Sequence, residues 1–179
     1  MKLIILDRDG VINQDSEDYI KSADEWHAIP GSPEAIARLT HNGYRIVVAS
    51  NQAGLARGKL TIEALNTIHH KMHDQISRYG GVIEAVFFCP HGPDDGCGCR
   101  KPEPGLYNEI ARRLHVNLQG VISIGDKLSD VEAARAAGAS PVLVKTGNGQ
   151  SIVDNNEQPD DVPVYDDLAA AVDELISLD

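Results

Sequence analysis

The chain has 179 residues, of which 42% are apolar and 24% charged, and its formal net charge is -11. Those values describe a folded globular protein and exclude general disorder; the acidic balance also argues against nucleic acid as the main partner, since a polyanion needs a concentrated basic surface. No apolar run approaches membrane-spanning length and no signal peptide or membrane anchor is expected, which places the protein in the cytoplasm.

Strand and helix signals alternate along the chain, and no Pro/Gly/Ser-rich linker divides it, so one domain over 1–179 is expected. Leu3 to Leu6 reads as a buried strand ending at Asp7. Ser32 to His41 reads as a helix closed by Asn42-Gly43, and Tyr44 to Ala49 as a strand delivering Ser50 and Asn51. Thr61 can cap a helix whose apolar positions Leu65, Ile68, Met72, Ile76 and Tyr79 recur at spacings of three and four before Gly80-Gly81. His69 and His73 share one face of that helix and, with no third ligand nearby, read as a solvated pair.

Ala85 to Phe88 is the third strand, and Leu106, Ile110 and Leu114 mark the buried face of the next helix. Val121 to Ile124 is the fourth strand, ending at Gly125-Asp126. Ser129-Asp130-Val131-Glu132 then has the form of a capping box, with a helix running to Gly138. Pro141 to Val144 reads as a fifth strand, 145–163 as a surface loop, and Leu168, Val172, Leu175 and Ile176 as a last amphipathic helix. This alternation predicts an α/β fold on a doubly wound parallel sheet. In such sheets ligands bind beyond the carboxyl ends of the strands, where Asp7, Ser50 and Asp126 all fall.

In Asp7-Arg8-Asp9-Gly10 two carboxylates could share one cation while Gly10 lets the chain turn. Lys101 and Asp126 follow where a phosphoryl-transfer site would need them. A separate constellation, Cys89, His91, Cys97 and Cys99, supplies three thiols and one imidazole, a complete tetrahedral set for a structural Zn²⁺ with no open position. These are the only cysteines, clustered as in a reducing compartment, and the loop that holds them has too few apolar residues to fold alone. It runs directly into Arg100-Lys101, so a metal there would fix both cations.

The order of Asp-x-Asp-Gly, a strand-end Ser, a Lys before a helix and a strand-end Gly-Asp resembles the haloacid dehalogenase-like phosphatases. The resemblance implies a Rossmann-like core in which Asp7 attacks phosphorus and Asp9 serves first as acid and then as base. It further implies Mg²⁺ held by the Asp7 and Asp126 carboxylates and the Asp9 backbone carbonyl, with Ser50 and Lys101 on the phosphoryl oxygens. Asp130 is either a support of the metal site or simply an acid in the first turn of a helix. A non-enzymatic relative would have lost one of Asp7, Asp9, Lys101 or Asp126, and all four are present.

Together with Ser50 to Gly58 and Gly125 to Asp130, the zinc segment resembles the heptose 1,7-bisphosphate 7-phosphatases over about 1–149. That family removes the 7-phosphate on the route to nucleotide-activated heptose for lipopolysaccharide. Its substrate contacts map to Asp15, Ser16, Glu17 and Asp18, to Ser50, Asn51, Gln52 and Ala53, and to Arg100, Lys101 and Lys127. The expected partner is thus a small phosphorylated sugar, with no nucleic acid or membrane, acted on by a monomer. Only five residues separate His91 from Cys97, which also resembles the histidinol-phosphate phosphatases and makes that activity the alternative. The spaces after Asp9 and after Asn51 are too short for a large cap domain, so loops are expected to close the site.

Overall fold

The structure, a computed structural model, describes residues 2–178. Six strands, β1 (Lys2–Leu6), β2 (Tyr44–Asn51), β3 (Ala85–Cys89), β4 (Ile122–Gly125), β5 (Ser140–Val144) and β6 (Val164–Tyr165), pair in parallel in the order β3-β2-β1-β4-β5-β6. Between and after them lie α1 (Ser32–His41), α2 (Ile62–Ser77), α3 (Gly105–Leu114), α4 (Leu128–Ala136), α5 (Gly149–Asp154) and α6 (Leu168–Ser177). The chain builds outward from β1 through β2 to β3, then crosses to the other side of β1 to lay down β4. The carboxyl ends of β1 and β4 therefore flank the reversal, where an open parallel sheet leaves a crevice.

Helices cover both faces, which is why β1 is apolar at every inner position rather than alternating. Ile4 and Leu6 pack toward α1, α2 and α6, with Trp26 from the long connection after β1 buried in the same cluster. Leu3 and Ile5 point the other way, onto Leu106, Tyr107 and Ile110 of α3 and Ala133 and Ala134 of α4. Among the described residues no cap domain interrupts this core. The 10–31 connection is built of turns and short bridges, and 52–61 is a compact turn leading to α2, whose first turn is capped by the Thr61 hydroxyl accepting from Ala64 N–H at 3.1 Å.

Four details differ from the sequence expectation. The helix α2 stops at Ser77, and Tyr79, expected on its buried stripe, lies beyond the end and is exposed. The capping box of α4 is shifted: Lys127 is the cap position and Asp130 the reciprocal acid, accepting from Lys127 N–H at 3.0 Å and Asp126 N–H at 3.2 Å, while Glu132 is exposed. The 145–163 segment carries the helix α5 and leads into the short edge strand β6; Ile152 and Val162 anchor it against Val131 and Leu143. Lastly, His69 is not solvated. It is buried on the inner side of α2, and His73 alone is exposed.

Candidate active site

Asp7 follows directly on β1, its N–H donating to Ile124 O of β4 at 2.9 Å, so the carboxylate stands over the reversal point. One oxygen, Oδ1, accepts from Arg8 N–H at 2.8 Å and lies 3.0 Å from Lys101 Nζ. Lys101 is almost fully buried. Its ammonium also sits 2.6 Å from Asp130 Oδ1 and donates to Ala49 O at 2.7 Å. The backbone of Lys101 is fixed separately: Asn51 accepts its N–H and donates to its carbonyl, each at 3.0 Å. Burial pushes the Asp7 carboxyl up to about 7, with Lys101 opposing and the nearby Asp130 and Asp126 adding to the rise.

Three buried acids, Asp7, Asp126 and Asp130, bring carboxylate oxygens within 4.8 Å of one another. Asp130 is committed elsewhere, to two backbone N–H groups and to Lys101. Asp126 Oδ1 is buried and accepts no hydrogen bond, with only the Lys127 ammonium at 3.5 Å. A hard cation with oxygen ligands fits this set, since it would satisfy the orphaned oxygen and offset the crowding of like charge. A void of about 30 Å³ opens beside Asp7, Asp9, Lys101 and Asp130.

Asp9 is held quite differently. The chain turns tightly after it, with Gly10 at φ 84°, where a Cβ would strike the Asp126 carboxylate. Asp9 Oδ1 accepts from Arg8 Nε, Arg8 Nη2 and Asn13 Nδ2 at 2.8–3.0 Å, and Oδ2 accepts from Gln52 Nε2 at 3.0 Å. Burial alone would raise its pKa, but the Arg8 charge and the bonds from Asn13, Arg8 and Gln52 outweigh it and hold the carboxyl below its usual range. Gln52 also donates to Ser50 Oγ at 2.8 Å, so Ser50 reaches Asp9 through it.

Arg8 is fully buried, and its remaining Nη1 meets His69 Nε2 at 3.2 Å. A guanidinium only donates, so Nε2 must accept and the proton must sit on Nδ1. Burial and the Arg8 charge hold the His69 pKa down to about 4, consistent with a neutral ring. Neither Arg8, Asn13 nor His69 stood out in the sequence as a site residue. The available signal was positional, for His69 is four residues after Leu65 and three before Met72, on the buried stripe of α2.

Above these groups opens a cleft of about 630 Å³. Its walls include Asp15 and Ser16, Asn51 to Ala53, Arg100, Lys101 and Lys127, along with Tyr19, which sequence reading passed over. Glu17 and Asp18 are exposed and outside the lining; Asp18 is paired with Lys21 and Lys59. Lys127 Nζ is 3.0 Å from Asp15. The Arg100 guanidinium makes one long contact, Nη1 to His91 O at 3.5 Å, and no ion pair among the described residues, so its charge faces the cleft uncompensated.

Cys89, His91, Cys97 and Cys99 converge on that wall. Their sulfurs and His91 Nδ1 lie 3.0–3.7 Å apart in the five contacting pairs. A tetrahedral zinc, with bonds of about 2.3 Å to sulfur and 2.0 Å to nitrogen, spaces its donors roughly 3.5–3.8 Å apart, so the set fits that ion. Arg100 N–H points at Cys97 Sγ at 3.4 Å, which links the cluster to the first of the two cations.

A family model described as HAD-hydrolase-like matches residues 98–171. The chain is 55% identical over 176 residues to the D-glycero-beta-D-manno-heptose-1,7-bisphosphate 7-phosphatase of Bordetella bronchiseptica, covering 98% of each chain. It is 48% identical over 174 residues to the protein of the same name from Pseudomonas aeruginosa, covering 97% of each. Among solved structures, the D,D-heptose 1,7-bisphosphate phosphatase from B. bronchiseptica complexed with magnesium and phosphate superposes with a TM-score of 0.97 at 54% identity, covering 100% of both chains.

The buried Arg8–His69 contact makes a direct prediction. His69→Leu leaves a guanidinium N–H buried without an acceptor, at a cost of about 1–3 kcal/mol. Thermal unfolding is expected to fall by about 2–4 °C per kcal/mol in a chain of this size. His69→Gln, which keeps an acceptor, is expected to lose less. Equal Tm values for the two variants would show that the contact carries no weight.

Proposed function

This chain belongs to the heptose 1,7-bisphosphate 7-phosphatases of the haloacid dehalogenase-like hydrolases, and we propose that it removes the 7-phosphate of D-glycero-D-manno-heptose 1,7-bisphosphate through an aspartyl phosphate on Asp7. It is a phosphatase. The observation that carries the mechanism is the buried Asp7–Lys101–Asp130 arrangement at the β1/β4 reversal, next to the unsatisfied Asp126 oxygen.

In the first half-reaction an Asp7 carboxylate oxygen attacks phosphorus, the bond to the sugar oxygen breaks, and Asp9 gives that oxygen a proton. In the second, water attacks phosphorus, Asp9 takes a proton from the water, and the Asp7–phosphorus bond breaks. Arg8, Asn13 and Gln52 favour the carboxylate form of Asp9 in the free enzyme, which is the form the second step needs. The incoming phosphate, a like charge, favours its protonated form for the first. Lys101 would hold positive charge where the transferring group becomes most negative, and Ser50 would hydrogen-bond a phosphoryl oxygen. Asp7 and Asp126, with the Asp9 carbonyl, would hold Mg²⁺, which when bound offsets the repulsion between the nucleophile and the phosphate. The magnesium in the similar B. bronchiseptica structure supports that choice of ion.

Arg100 and Lys127 give the cleft cationic groups beyond the catalytic lysine, which suits a substrate with two phosphates. Histidinol phosphate, a cationic ester with one phosphate, gives these groups less to bind and is the less favoured reading. With the heptose substrate the product keeps its 1-phosphate, as required for later activation toward lipopolysaccharide. Zinc in the Cys89/His91/Cys97/Cys99 set would act structurally, holding the wall that presents Arg100 and Lys101.

Phosphate release from heptose 1,7-bisphosphate and histidinol phosphate, measured side by side with Mg²⁺, tests the substrate. The heptose ester is expected to have the higher kcat/KM, and the opposite ranking overturns the assignment. Asp7→Asn is expected to lower kcat by on the order of 10⁴-fold or more, as loss of a nucleophile does. For the zinc, elemental analysis of metal-replete protein is expected to find about one ion per chain, all coordination positions being filled by protein. Cys97→Ser is expected to lose the ion and raise KM; a wild-type protein without zinc removes the structural role.

A further inference from the structure

The loop after β5, Lys145 to Gly149, enters the site without contributing any of the groups so far assigned to it. Thr146 Oγ1 donates to Gly10 O at 2.6 Å, tying this loop to the turn after Asp9. Gly147, at φ 60°, lies so close that a Cβ there would meet the Asp126 carboxylate and stand 2.7 Å from Gly10 Cα. The following residue, Asn148, donates its backbone N–H to Asp126 Oδ2 at 2.8 Å and its side-chain Nδ2 to the same oxygen at 3.0 Å. Nδ2 also donates to Asp15 Oδ2 at 3.1 Å, the oxygen that pairs with Lys127. A primary amide has two N–H donors, and here each has a carboxylate. Both neighbours only accept when ionised, which settles which end of the amide faces them.

We propose that Asn148 is a positioning residue for the cation site: it saturates Asp126 Oδ2 from two donors, so that Oδ1 is the oxygen left for the metal, and ties that ligand to Asp15 at the mouth of the cleft. A free carboxylate can rotate to offer either oxygen or both. Two donors on one oxygen, presented by a loop pinned to Gly10, stop that rotation. The unsatisfied state of buried Oδ1 is the counterpart of the saturated Oδ2. Partners of this kind orient metal-bound carboxylates and typically change affinity by about 10–100-fold when lost. The same amide joins the metal ligand to the acidic loop carrying Asp15 and Ser16, so the two walls are set by one side chain. This inference rests on the reading of Asp126 as a magnesium ligand.

The test is Mn²⁺ binding to the metal-free catalytic site of zinc-replete full-length protein, followed by the loss of the free-ion paramagnetic resonance signal, with no substrate present. Asn148→Ala, and Asn148→Leu, which keeps the bulk without donors, are expected to weaken Mn²⁺ binding by about 10–100-fold while Tm stays near the wild-type value. Binding by both variants within twofold of wild type overturns the role of Asn148. If wild type and Asp126→Asn bind Mn²⁺ equally, or wild type binds none, the cation-site reading itself fails, and the two failures are distinguishable. Should one variant prove unfolded, the other carries the comparison.

Discussion

A lysine ammonium buried at the end of two strands has to be surrounded by acceptors, and around that requirement the site is arranged. Lys101 Nζ meets Asp7 at 3.0 Å, Asp130 at 2.6 Å and Ala49 O at 2.7 Å, one partner from each of three segments of chain. Removing any one would leave charge or a donor stranded in a region of low dielectric, where it costs far more than at the surface. Asp7, the first turn of α4 and the end of β2 are thereby held in register. Asp130 serves this arrangement twice, because the oxygen not facing Lys101 accepts the N–H groups of Asp126 and Lys127. Its place is between the buried cation and the start of α4.

The two carboxylates of Asp7-Arg8-Asp9 have opposite surroundings although they are two residues apart. Asp7 is pushed up by burial, with the nearby Asp130 and Asp126 adding to the rise, whereas Asp9 faces Arg8, Asn13 and Gln52 and is pulled down. Environments that separate the behaviour of neighbouring acids are how one site assigns them different roles. The residue between them has a part in this: Arg8 is buried for the sake of Asp9, and its other end is received by a neutral imidazole from α2.

Much of this was legible from the residues because strand ends are easy to find. Runs such as Leu3 to Leu6 and Ile46 to Ala49 must be buried on both faces, so the polar residues that follow them lie at the sheet's carboxyl edge. The end of α1 is likewise written in its Asn42-Gly43 stop. What escaped was long-range pairing. Nothing local marks His69 as the acceptor for Arg8, sixty-one residues earlier, or Asn148 as the donor for Asp126. The shift of the α4 cap has the same origin. Ser129 and Glu132 have the right spacing, but the cap lies two residues earlier, at Lys127, because Asp130 is needed by Lys101 and by the backbone at Asp126. Helix α5 was hidden by its polar composition, with Ile152 alone as its buried apolar anchor.

The covalent role proposed for Asp7 is tested most directly by the stereochemical course at phosphorus. Heptose 1,7-bisphosphate with a 7-phosphoryl group made chiral by oxygen isotopes is hydrolysed with Mg²⁺, and the configuration of the released phosphate is determined. Two successive in-line displacements, first by Asp7 and then by water, predict overall retention. Inversion would mean that water attacks the substrate directly, and would contradict an aspartyl phosphate at this site.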